Sequence, residues 1–207
     1  MTDDELWTAI DAQRMRTTDF LETLDPTDWA RRSLCDGWTV RDVAAHLTQQ
    51  QMTIGDVLRT VLRHPGNLNH MIQASVRERS AQPTEQLIAG IRAMVGSRRH
   101  NIGVTPLETL IDIVVHGQDI AVPLGRSLPV PVEVAATAAD RVWSYRATRS
   151  GRRKAKVFKP VPYDGFRLVA TDTDWSVGEG TELRGPVLAI LLLLTGRDVV
   201  LPQLTRA

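Results

Sequence analysis

The chain has 207 residues, 43% of them hydrophobic and 24% charged, which describes a folded soluble protein and excludes a disordered one. Its length suits one large domain or a main domain with a small appendage. With 25 Lys and Arg against 24 Asp and Glu, no global field favours nucleic acid or an anionic membrane, and the single cysteine, Cys35, excludes an internal disulfide framework.

The acidic start "MTDDELWTAI" lacks the basic flank and apolar core of a signal peptide, so the protein is expected to stay in the cytoplasm. A first helix is predicted over "TDDELWTAIDAQRMRTTDFLETL", where Leu6, Trp7, Ile10, Phe20, Leu21 and Leu24 form an apolar stripe and Thr2 or Asp3 supplies the cap. "DGWTVRDVAAHLTQQQMTIGDVLRTVLRH" follows, with Thr39 and Asp42 in capping-box spacing. It predicts one long second helix bent near Gly55 and broken at "RHPGNLNH". A third helix is predicted in "TEQLIAGIRAMVGSRR", starting at Thr84.

The fourth helix has the sharpest boundary. In "TPLE", Thr105 is a cap, Pro106 suits the first helical position and Glu108 completes the capping box; Pro123 sets the end near Ala121. A fifth helix is expected in "PVEVAATAADRVWSYRA". The basic, proline-containing "GRRKAKVFKPVPY" reads as a connection, which places a domain boundary near residue 155 and gives units 1–154 and 155–207. Beyond it, "GFRLVATDTDWSVGEGTELRG" predicts antiparallel strands with tight turns, "GPVLAILLLLTGR" a buried helix and "DVVLP" a last short strand. The apolar run "PVLAILLLLTG" is well short of the roughly 18 residues of a membrane span.

Asp112 and His116 stand four residues apart on the fourth helix and so project from one face. Such a pair serves either as a structural hydrogen bond or as two ligands of one metal ion. His46, on the second helix, is likewise either a core histidine or a third ligand. Two imidazoles and one carboxylate would leave coordination positions open, as catalytic zinc or iron sites require. Asp119 lies three residues past His116, placed either to accept a hydrogen bond from a ligand histidine or to pair with Arg126 or Arg41. Cys35 reads as either a small buried packer or a reactive thiol, and Trp38 as either a hydrophobic staple for the second helix or a ring that stacks on substrate. His64, His70 and His100 read as surface residues, and Arg126 as either a solvated arginine or a contact for an anionic substrate. "TDTDWSVGEG" lacks the twelfth-position glutamate of a calcium loop and reads as a turn between strands.

The segments "CDGWTVRDVAAHL", "HGQDIAVPLGR", "ATDTDWSVGEG" and "LLLLTGR" resemble the mycothiol-dependent maleylpyruvate isomerase family of the DinB-like superfamily, over nearly the whole chain. The resemblance implies a mainly α fold: a DinB-like four-helix bundle holding a divalent metal, usually zinc, with a smaller α/β C-terminal domain. It implies metal ligands at His46 and His116, with Asp112 as the carboxylate. Asp112 stands where family members carry glutamate, one methylene longer, so the metal's identity is less well defined than its place. The implied activity is that of a metal- and mycothiol-dependent isomerase or S-transferase acting on an electrophilic small molecule. A noncatalytic binding or regulatory bundle is the alternative. Neither nucleic acid nor membrane is an expected partner, and a homodimer is left open.

Overall fold

The computed structural model describes residues 1–64, 66, 68–155, 158 and 165–206. The chain divides into two compact units, Met1–Pro129 and Val130–Ala207.

In the first unit, helix α1 (Asp3–Glu22) begins as its sequence dictates: Thr2 accepts from the Glu5 backbone and Glu5 returns a bond to the Thr2 backbone. A short α2 (Pro26–Trp29) leads to α3 (Val40–Leu47), which opens with the expected Thr39–Asp42 capping box. The long second helix of the sequence reading is two helices. α3 stops at Leu47, and a new capping box, Thr53 with Asp56, starts α4 (Ile54–Arg63). Two reciprocal bonds at Thr53 satisfy backbone donors that a continuous helix would have used internally, so the polar Thr48–Gln51 stretch becomes a corner. A helix that the sequence reading left out, α5 (Leu68–Ser80), follows; Pro65 and Asn67 lie outside the described residues. Then come α6 (Thr84–Arg92) and α7 (Pro106–Ala121), the latter with its Thr105, Pro106 and Glu108 start in place.

Helix α1 packs on α6 and α7, and α3 packs on the same two, which closes a four-helix bundle with α5 laid against α3. Ile10, Leu47, Leu87, Ile91, Leu110, Ile113 and Ile120 are fully buried there. Each stabilises the folded chain by roughly 1.5–3 kcal/mol before the entropic cost of ordering it.

In the second unit, α8 (Val132–Ser144) packs against α10 (Val187–Leu194). That packing puts the unit boundary at Pro129 rather than near residue 155. The first residues of the expected connection form part of a short helix, α9 (Arg149–Ala155); most of its remainder lies outside the described residues. Four strands, β1 (Phe166–Ala170), β2 (Ser176–Gly178), β3 (Thr181–Gly185) and β4 (Thr205–Arg206), are ordered β2-β1-β3-β4.

The β1–β2 pair is antiparallel as expected, but β3 runs parallel to β1, with Leu168 opposite Leu183. The chain gets there by passing around the start of β1 through Gly178, at φ 83°, where a Cβ would come within 2.5 Å of the Phe166 carbonyl oxygen. Only glycine fits that conformation and that approach. "DVVLP" is part of a 3-10 turn, Asp198–Gln203, because Pro202 has no N–H to give a sheet; the last strand is β4. In "TDTDW", Asp172 accepts from the Val187 backbone N–H at 2.9 Å and so caps α10. Trp175 is buried and donates to Asp140 at 2.7 Å. Among the described residues no helix is long and apolar enough to cross a membrane.

Candidate metal centre

α3 and α7 pack side by side and bring His46, Asp112 and His116 together. His46 Nε2 lies 3.3 Å and His116 Nε2 3.4 Å from the same oxygen, Asp112 Oδ1. The two imidazole rings meet edge to face at 4.8 Å. All three side chains are partly exposed, so the cluster is recessed but open to small solutes. The shorter carboxylate therefore reaches both histidines.

Asp119 takes the first of its two expected roles. Its Oδ2 accepts from His116 Nδ1 at 2.8 Å, and the side chain is fully buried. The two arginines have bonds elsewhere: Arg41 donates to the Ser80 and Gln82 carbonyls, and Arg126 donates to Thr23 and lies over Phe20. A carboxylate only accepts, so Nδ1 carries the proton, and in the neutral ring Nε2 turns its lone pair toward Asp112 Oδ1. Two acceptors then face each other, an arrangement that a proton or a cation relieves. His46 adds a second sign: its Nδ1 is buried without a hydrogen-bond partner, so the ring's anchoring contact is Nε2 in the cluster. The donor set, two neutral imidazoles and a carboxylate, with Asp119 holding one of the imidazoles, fits a divalent ion such as zinc.

In the metal-free cluster the electrostatics favour a proton as that relief. Burial opposes ionisation of Asp112, but the adjacent His46 and His116 and the bonds from His46 and Gln50 outweigh it and hold the carboxyl below its ordinary range. Burial likewise opposes charge on His116. Cys35, Asp112 and the Asp119 hydrogen bond together overcome it and raise the imidazole well above 6.5.

Three neighbours depart from, or add to, the sequence reading. Cys35 is not an apolar packer: Sγ lies 3.1 Å from Asp119 Oδ2 and 3.5 Å from His116 Nδ1. Its loop is tied to α7 by the Leu34 N–H bond to the Asp119 carbonyl, a long-range contact that no local pattern announces. Trp38 lies with its ring centre 5.3 Å from that of His46 and 6.5 Å from that of His116, so it braces both imidazoles. Gln50, which sequence reading passed over, donates to Asp112 Oδ2 at 2.7 Å. His64 pairs with Glu78, and His70 and His100 are exposed, all outside the cluster.

Asp119→Ala is expected to weaken metal binding about tenfold to a hundredfold, because it removes the group that orients His116. Titration against a competing chelator measures this, and an unchanged affinity would show the Asp119 contact to be irrelevant to the centre.

A family profile described as "Mycothiol maleylpyruvate isomerase N-terminal domain" matches residues 10–121, which include every residue of the cluster. Comparison with curated proteins finds no match. Two solved structures share the fold, the mycothiol-dependent maleylpyruvate isomerase and a histidine-to-alanine mutant of it. Each is 12% identical, with 100% of this chain and 93% of that chain covered, at TM-scores of 0.63 and 0.67 respectively. At that identity the structures establish a common mainly helical architecture with a small α/β part, whereas the profile covers more than half of the sequence. On that match, the chain belongs to the mycothiol maleylpyruvate isomerase family.

Proposed function

We propose that this protein is a metal-dependent enzyme that uses a small thiol, mycothiol or a close analogue, to isomerise or thiolate an electrophilic small molecule in the cytoplasm. The observation that carries the reading is the convergence of His46 Nε2, His116 Nε2 and Asp112 Oδ1, with Asp119 holding the His116 tautomer. Those three atoms would hold a divalent ion, whose positive charge would lower the pKa of a bound thiol and favour its thiolate.

The chain's own residues do the rest. His46, Asp112 and His116 commit three donors and leave further positions for an incoming ligand. Asp119 and Trp38 keep the imidazoles from turning away. An external thiol accounts for a chain with one cysteine, since Cys35 lies behind His116, engaged with Asp119. Two outcomes follow from thiolate attack on an electrophile. Addition to an activated double bond, rotation and expulsion of the same thiolate returns the thiol unchanged, whereas displacement of a leaving group consumes it.

The test is to purify the protein without chelator, measure bound metal, and incubate it with mycothiol and either maleylpyruvate or a chlorinated nitroaromatic. Metal-dependent turnover supports the proposal, and recovery or loss of thiol separates isomerase from transferase. Metal and thiol binding without turnover of either electrophile would instead favour a binding module.

Metal affinity should also depend on pH with a definite sign. The ion takes the neutral imidazole, while His116 in the metal-free protein holds its proton to above pH 6.5. As pH falls, proton competition should begin above 6.5 and weaken apparent affinity by about tenfold per pH unit for each proton displaced. Chelator-buffered titrations across neutral pH check this. An affinity that stays level down to pH 6.5 would contradict it.

A further inference from the structure

Helix α1 carries an arginine, Arg14, that is completely buried in the bundle. A guanidinium without water needs partners, and two of the three Arg14 nitrogens have them: Nη1 donates to Asp11 Oδ1 at 3.2 Å and to the Met94 carbonyl at 2.9 Å, and Nε donates to Gln50 Oε1 at 3.2 Å. Nη2 is buried without a hydrogen-bond partner among the described residues. The contact to Gln50 carries directional information. Arginine has only donors, so it selects the oxygen end of the Gln50 amide. The nitrogen end must then point the other way, and it donates to Asp112 Oδ2 at 2.7 Å. With Oδ2 occupied, Oδ1 is the oxygen left facing both His46 and His116.

We propose that Arg14, acting through Gln50, is a positioning residue that makes Asp112 a one-oxygen metal ligand. The inference rests on the metal-centre reading above and adds a determinant of coordination geometry from a helix that supplies no ligand. Without Arg14, the Gln50 amide keeps only its bond to Asp112, and among the described residues no other bond on its oxygen side holds it in place. Asp112 is then free to turn both oxygens toward the ion, which raises the coordination number and fills a position that a thiol would need. A buried arginine kept only for packing would leave the ion's geometry untouched when replaced.

The experiment compares wild type, Gln50→Leu, Arg14→Met and the double variant, each loaded with cobalt(II) as a spectroscopic probe and titrated with zinc against a chelator. Urea unfolding of the metal-free proteins runs alongside. Gln50→Leu is expected to weaken zinc binding about tenfold to a hundredfold and to shift the cobalt spectrum toward the weaker visible absorption of higher coordination. Arg14→Met should reproduce that spectrum, and the double variant should bind no more weakly than Gln50→Leu alone, because both changes break one relay.

Arg14→Lys keeps the buried charge if Arg14→Met does not fold. A compact ammonium cannot span Asp11, Met94 and Gln50 at once, so the same spectral change is expected. Folded Arg14 variants with the wild-type cobalt spectrum, or losses in affinity that multiply in the double variant, would overturn the relay while leaving the metal centre standing. A wild type that takes up neither zinc nor cobalt would overturn the metal-centre reading itself, and the relay with it.

Discussion

Replacing His116 with alanine is expected to cost metal binding about 3 kcal/mol or more, roughly a hundredfold or greater loss of affinity. This is the share of one ligand in a site of a few strong donors. The loss is larger than for Asp119→Ala because the substitution removes a donor atom rather than its support. His46→Ala should act in the same way, since its Nε2 meets Asp112 Oδ1 at nearly the same distance as that of His116. Metal content after dialysis, with circular dichroism to establish that the helices remain, is the measurement. Full retention of metal by both variants would remove the cluster from consideration as the centre.

The second large effect lies on the same helix but away from the site. Ile113 follows Asp112 directly, is fully buried and fills the bundle core. Ile113→Ala should lower unfolding free energy by about 2–5 kcal/mol through lost transfer energy and the cavity left behind. The folded fraction should nevertheless retain its metal. Denaturant unfolding reads the first quantity and chelator titration the second. An alanine at 113 that abolished metal uptake in folded protein would mean that the centre tolerates no slack in α7. Adjacent positions on one helix would thus separate stability from ligation, because successive side chains point about 100° apart around the axis.

Much of this was legible in the chain itself. "TPLE" fixes the start of α7, and that phase sets Asp112, His116 and Asp119 on neighbouring faces four and three residues apart. "GWTVRD" does the same for α3 and His46. The resemblance carried by "CDGWTVRDVAAHL", "HGQDIAVPLGR", "ATDTDWSVGEG" and "LLLLTGR" supplied the bundle and the α/β appendage. Local patterns misled where two signals competed. The apolar phase that runs through "AAHLTQQQMTIGDVLRTVL" suggested continuity, yet Thr53 with Asp56 offered a second cap, and the chain used it. In the second unit, strand signals identified β1, β2 and β3, but whether β3 lies parallel or antiparallel depends on how the chain rounds Gly165, which no alternation pattern encodes.

The sequence by itself determined the starts of α1, α3 and α7 and the spacing within them, because capping and periodicity are local properties of a few bonds, while the family resemblance named the three candidate ligands. Only the tertiary structure decided that Asp119 faces His116 rather than an arginine, that Cys35 lies behind the centre, and that Arg14 and Gln50 stand in line with Asp112. Those contacts join residues 36 to 84 positions apart, apart from the one-turn step to Asp119. They depend on the packing of α1, α3 and α7, and on which of several available partners a buried donor meets first once water is excluded.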